Sequence, residues 1–328
     1  MEYSLDHLIN FIEQYSDYFS FLCVALFSFL ISLPKDLNPI SVIELIFQQI
    51  AKKVNLDDRS DSYKRIASLL SLSLIYFPCI LIISQLYNIV FYPIILEMLL
   101  LFLLLSWHDK KSTYLQIIAA LKNDNLAQAK FKLDSLTQRE TKPLSFMGVN
   151  KACIESIVLQ LTSSWFAVIF WYLTTGIYGA LLYRVIQICA QQWSAKQVEF
   201  TTLTSIPSFI YSTMLFPVHL IMTLTFALYD KPLANVIKNC KQSIHWHHFS
   251  SGLMLSSFAL SMQLELGGVR LYQEQKITYT SLGDKNSPTL EKVEQSLHRI
   301  SLSAWFWLIC ISSYTFFPLF FELLTQNR

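Results

Sequence analysis

Apolar residues along this chain gather into long uncharged runs, separated by shorter stretches that carry nearly all of the charge. No Asp, Glu, Lys or Arg occurs in 18–34, 66–96, 156–183, 200–229 or 300–321. Each run approaches or exceeds the roughly 20 residues with which a helix crosses about 30 Å of hydrocarbon. From Ile66 to Trp107 the one charge is Glu97, so this stretch predicts two spans that turn between Ser84 and Pro93. The pattern thus predicts six helices, at about 18–34, 66–84, 92–107, 160–185, 206–229 and 301–321. The expected fold is all-α, a polytopic helical membrane protein with about six transmembrane helices in a single domain over 1–328.

Two other segments show helical patterning. In 108–154, Leu115, Ile118, Ala119, Leu126, Ala129, Leu133 and Leu136 outline an amphipathic pair at the membrane surface, with Asn123, Asp124 and Asn125 as turn and cap. Gln242 to Leu264 is uncharged but holds six serines and three histidines. It reads as a helix packed against, or dipping into, the membrane domain, with a further span as the open alternative. The loops 108–154 and 230–300 are therefore expected to be helical and cytoplasmic.

Composition supports this picture: 53% of residues are hydrophobic and 15% charged, against about a quarter charged in an ordinary soluble domain. The net charge of +2 points to no nucleic acid. The placement of the basic residues is more informative. Segments 34–65, 108–154 and 230–300 hold six, eight and eight of the 25 Lys and Arg. Basic loops stay cytoplasmic, so the six-span reading places all three on that side of a bacterial inner membrane and both termini outside. Four acids and no Lys or Arg in the first 17 residues argue against a cleavable signal peptide. The six cysteines lie far apart without a C-x-x-C pair and read as buried small hydrophobes. Expected partners are the lipid bilayer and a cytoplasmic partner or small ligand.

Charges inside apolar runs are costly, and they define the candidate chemistry. Glu155 and Arg184 stand 29 residues apart, about 43 Å along one continuous helix, and so mark opposite ends of it. Each reads as an interfacial anchor or as a ligand-binding group. Glu97 and His219 lie within spans, either as satisfied structural groups or as a hydrogen-bonded pair. His245, His247 and His248 beside Trp246 are a polar cluster at the water interface; no Cys or carboxylate supports a metal there, and no metal site is expected. Gly176 and Gly179 suit close helix packing, and Gly267 with Gly268 suits a helix end. Trp165, Trp171, Trp193, Trp305 and Trp307 lie near expected span ends, and an aromatic belt accounts for most of them.

Several local patterns, in order, resemble the CobD/CbiB membrane family of cobalamin biosynthesis and its relative, the AmpE proteins. They are Leu37-Asn38-Pro39-Ile40, the run LKNDNLAQAKFKLDSLTQRET from Leu121 to Thr141, ESIVLQLTSSWFAVIFWYLTTGIYGALLYR from Glu155 to Arg184, and GLMLSSFALSMQLELGG from Gly252 to Gly268. Gly283-Asp284 and Pro288-Thr289-Leu290-Glu291 resemble the family's tail. On this resemblance the ligand-binding candidates are Glu155, Arg184, Arg139, Asn38, Gly267 and Gly268. The resemblance implies an enzyme that uses ATP and Mg²⁺ to join an aminopropanol phosphate to a corrinoid carboxylate.

This chain departs from the family's polar positions. Leu159, Gln160, Leu161 and Ser163 stand where the family has a Glu-Asn-Thr-x-Asp pattern, and Gln187 and Ala190 replace an Asn and an Asp. Ile210 and Tyr211 replace paired Asp, Met214 an Asn and His219 an Arg. Losing those carboxylates removes Mg²⁺ ligands. The sequence therefore predicts a non-catalytic regulatory or accessory protein of the AmpE kind, with no cofactor. The alternative is an amide synthase needing ATP and Mg²⁺, its ligands moved to Glu44, Asp109, Asp134 or Glu140; a third class is a transporter using Glu97 and His219.

Overall fold

The computed structural model describes residues 16–34, 38–56, 59–193, 200–229, 232–246, 248–272 and 275–326. Helices dominate. They are α1 (Ser16–Leu30), α2 (Pro39–Val54), α3 (Asp61–Ile89), α4 (Pro93–Leu104), α5 (Trp107–Lys122), α6 (Leu126–Asp134), α7 (Phe146–Leu161), α8 (Ala167–Gln192), α9 (Ser205–Ala227), α10 (Pro232–Ser243), α11 (Phe249–Ser261) and α12 (Leu290–Gln326). A two-stranded antiparallel sheet, β1 (Glu265–Tyr272) with β2 (Gln275–Gly283), departs from the all-helical expectation.

Among the described residues, three helical runs are long and apolar enough to cross a membrane: Asp61–Ile89, Phe146–Gln192 and Ser205–Ala227. The helices α1 and α4 are shorter, with 15 and 12 residues. The hairpin predicted between the expected spans at 66–84 and 92–107 is present, turning at 90–92 between α3 and α4. Ile66, Leu69, Leu70, Leu74, Phe77, Leu81 and Ile82 of α3 are all exposed. An apolar face of that size is stable against lipid and unfavourable against water.

Local sequence explains the helix ends. Asn38 caps α2, its Oδ1 accepting from the Ile40 N–H at 3.0 Å, with Pro39 at the first helical position. Asn125 caps α6 through the Gln128 N–H, placing the turn at 123–125 as expected. The buried sides of α5 and α6 face α7, and α5 also meets α12. The helix α11 has 13 residues, about 20 Å long, too short to span. It packs on α9 and α10, matching the reading of 242–264 as a packed helix. His247 lies outside the described residues.

Between α7 and α8 the helix widens into a π-turn at Thr162–Phe166. The Ser163 and Ser164 hydroxyls both donate to the Gln160 carbonyl, at 3.2 and 2.6 Å, and so compete with the regular backbone ladder there. Gly176 then breaks the run at φ 71° and ψ −166°, a conformation open essentially to glycine alone. It makes a kink rather than the close helix contact expected of it. A Cβ there would meet nothing within 4 Å, so Gly176→Ala tests backbone strain alone. Its expected cost is about 1–3 kcal/mol, read from thermal unfolding in detergent; an unchanged melting temperature would refute the kink.

The tryptophan belt is only part of the outcome. Trp165 and Trp193 are fully buried and donate to Ser28 Oγ and the Phe47 carbonyl, both at 2.9 Å. They tie α1 and α2 to the central run, because a buried indole N–H needs an acceptor. Trp305 is exposed, as a belt residue would be.

Candidate functional site

The helix α7 begins where Ser145 accepts from the Gly148 N–H, and it carries Glu155 into the interior. Glu155 is 4% exposed, so its charge needs partners. Three arrive from distant parts of the chain. Arg139 Nη2 and Arg270 Nη2 both stand 3.1 Å from Oε2, and the Gly267 N–H donates to Oε1 at 2.7 Å.

Each partner is held by its own local structure. Arg139 follows α6 in a loop fastened by the Glu140 N–H to the Leu271 carbonyl of β1 at 2.9 Å. Ser156 and Gln160 of α7 also donate to the Leu136 carbonyl, at 3.2 and 3.1 Å. Gly267 sits at an irregularity in the ladder between Leu266 and Gly268, with φ 83°, which turns its N–H out of the sheet and toward Glu155. A Cβ on it would lie 2.3 Å from the Thr280 carbonyl oxygen. Gly267 and Gly268 are therefore strand residues; the preceding helix ends at Ser261, and the helix-end expectation is corrected. Arg270 lies over the rings of Tyr279 and Trp246, 4.4 and 5.0 Å from their centroids.

The two arginines shift in opposite senses. Burial, partly offset by Glu155, lowers Arg139 below the ordinary guanidinium range. Burial also acts on Arg270, but Glu155 and Tyr272 outweigh it and raise this guanidinium. Both remain cationic at neutral pH, since guanidinium starts so high.

A cleft of about 290 Å³ opens beside this cluster. Arg139, Glu155, Arg270, Trp246, Tyr279 and His248 are among its walls, together with apolar groups from α7 and α9. Leu159, Gln160, Ser163, Ala190, Tyr211 and His219 also line it, so six positions where the chain departs from the resembled family converge on one space. The volume is at the small end of ligand sites, roughly 300–1,000 Å³.

The sequence candidates separate. Glu155, Arg139 and Gly267 meet; Gly268 instead lies next to Lys151, whose Nζ would be 3.5 Å from its Cβ. Asn38 is a helix cap, and Arg184 belongs to a different cluster. Glu97 accepts from the Tyr87 hydroxyl at 3.2 Å, whereas His219 Nδ1 meets Ser250 Oγ at 3.1 Å, so the Glu97 and His219 pair does not form. Arg270 escaped sequence reasoning. Its available signal was that it is the sole Lys or Arg between Lys241 and Lys276, flanked by Val269 and Leu271.

The ATP and Mg²⁺ implied by the resemblance can be tested against these donors. Among the described residues Glu155 is the one acid lining the cleft, and both of its oxygens are engaged. Glu44, Asp109, Asp134 and Glu140 do not line it, and Asp134 accepts from Thr141 at 3.0 Å. Among the described residues no three His, Cys, Asp or Glu gather as metal ligands. Apart from the engaged Glu155, a divalent ion would meet neutral and cationic groups among the described residues, so this donor set does not fit it.

Lipid-compatible helices around a small cleft with a clamped carboxylate define a helical membrane protein with an internal polar site. The chain belongs to the CobD/Cbib protein family, whose sequence profile residues 21–300 match. It is 22% identical over 215 residues to the cobalamin biosynthesis protein CobD of Stutzerimonas stutzeri, covering 66% of this chain and 71% of that one. The protein of the same name from Chromobacterium violaceum is 24% identical over 192 residues, 57% of this chain and 60% of the relative. That of Leptospira interrogans is 25% identical over 285 residues, 83% and 89% of the two chains. No solved structure matches. These relatives overturn the expectation of an AmpE-type regulator: they bear the name of cobalamin biosynthesis, which the loss of family acids had set aside.

Proposed function

We propose that the protein acts in cobalamin biosynthesis, with its cleft receiving the anionic side arm of a corrinoid intermediate. Family membership and the relatives' names support the pathway. The observation that carries the site is Arg270, a cleft-lining cation whose Nε is buried without a hydrogen-bond partner. Trp246 and Tyr279 fix its guanidinium beside apolar walls, an arrangement suited to an arm with a charged end. The small cleft suits an arm rather than a whole macrocycle. The topology proposed with this reading is multi-pass in the bacterial inner membrane. Its basis is the 22 of 25 Lys and Arg that fall in three alternate segments, taken as cytoplasmic.

The test is complementation of a bacterial strain that lacks its own CobD protein and needs cobalamin for growth. The full chain is expected to restore growth, and Arg270→Met, expressed at equal level in the membrane, to reduce it at least ten-fold. No rescue by the parent chain would overturn the pathway. Full rescue by Arg270→Met would overturn the assigned role of the cleft.

A further inference from the structure

A second cluster of cations lies near α2, on the segment that opens α5 and on α8. Arg184 is 6% exposed and Gln187 fully buried. Arg184 Nη1 donates to Gln187 Oε1 at 2.6 Å and Nη2 to Ser106 Oγ at 2.7 Å. Arg184 Nε and Gln187 Nε2 are buried and have no hydrogen-bond partner. Lys110 donates to Gln160 Oε1, which consumes one of its three protons.

These cations lack what the Glu155 cluster has. There two guanidinium groups share a carboxylate; here, among the described residues, neither Arg184 nor Lys110 has an acid within ion-pair distance. Glu44 and Asp109 act on both only through space. The mismatch shows in Lys110, which burial and then the neighbouring Arg184 pull down to about 7. An uncompensated buried charge is strongly unfavourable. Neighbouring donors with spare capacity remove that cost when an anion reaches them.

We infer that Arg184, Lys110 and Gln187 form a binding site for a phosphate group, separate from the Glu155 clamp. A phosphate's oxygens match the unused Arg184 Nε, Gln187 Nε2 and Lys110 protons, and its double charge matches two cations. Gln160, whose Oε1 accepts from Lys110, borders both this site and the cleft. The group reaches the site either as a free phosphate ester or as a lipid headgroup. Nothing in this inference depends on the cobalamin pathway, so the two stand or fall separately.

The probe is inorganic phosphate, titrated at constant ionic strength against the full chain in phosphatidylcholine nanodiscs, with thermal unfolding as the readout. A saturable rise of roughly 2–4 °C is expected, with chloride giving none. Lys110→Met is expected to move the midpoint at least ten-fold higher. Discs containing phosphatidic acid form the second arm. Stabilisation there that Lys110→Met removes, with free phosphate inert, assigns the site to a lipid headgroup. If Lys110→Met does not accumulate, Arg184→Lys, which keeps the charge but loses the planar fork, is read in the same way. Absence of stabilisation in both discs, or identical midpoints in parent and variant, would overturn the inference.

Discussion

Glu155→Ala is expected to destabilise the protein by about 3–5 kcal/mol, a fall in melting temperature on the order of 10 °C. The reason is what the substitution leaves behind. Arg139 and Arg270 are 8% and 7% exposed, and both rely on Glu155 Oε2. Removing the carboxylate strands two cations in the interior and also orphans the Gly267 N–H. Glu155→Gln separates charge from shape: its amide oxygen can still accept from Gly267, so a smaller loss is expected. Thermal unfolding of parent and both variants in one detergent checks the order. An alanine variant melting within about 2 °C of the parent would mean that the clamp contributes little.

Gly267→Ala is expected to cost more than backbone strain alone. At φ 83° an alanine pays about 1–2 kcal/mol. Its methyl would also lie 2.3 Å from the Thr280 carbonyl oxygen on the paired strand, which cannot yield without opening the hairpin. Relieving that contact would withdraw the N–H from Glu155, so a total of about 3 kcal/mol or more is expected. The neighbouring position is the control. Gly268 has φ 88°, but its nearest prospective contact is the mobile end of Lys151 at 3.5 Å, so Gly268→Ala should show only the strain. Equal melting temperatures for the two variants would contradict the close approach at Gly267.

How much of this was legible beforehand follows from the range of the forces involved. The apolar runs, the hairpin after α3, the capping by Asn38 and Asn125 and the packed helix at 249–261 all depend on neighbours within a few turns. Composition and spacing report such features directly. The Gly267 strand was misread because a glycine pair after an apolar run serves equally as a helix stop or as a bulge, and only the pairing with 275–283 decides. Trp165 and Trp193 were misread because a tryptophan near the end of an apolar run is equally a belt residue or a core anchor until its neighbours are known.

The site shows the same division. Glu155 stood out as an acid beside an apolar run, and the expectation that it could not reach Arg184 held, since its partners are Arg139 and Arg270. Those partners lie 16 and 115 residues away, and no periodicity in the chain announces them. The missing family acids were legible, but they pointed away from cobalamin biosynthesis while the relatives point toward it. What the sequence by itself determined is therefore the apolar runs that suit lipid and the polar stretches that suit water, because transfer free energy is a property of each residue. Which buried charge meets which counter-charge was decided only in the tertiary structure, where desolvation makes a carboxylate's partners obligatory without regard to their distance along the chain.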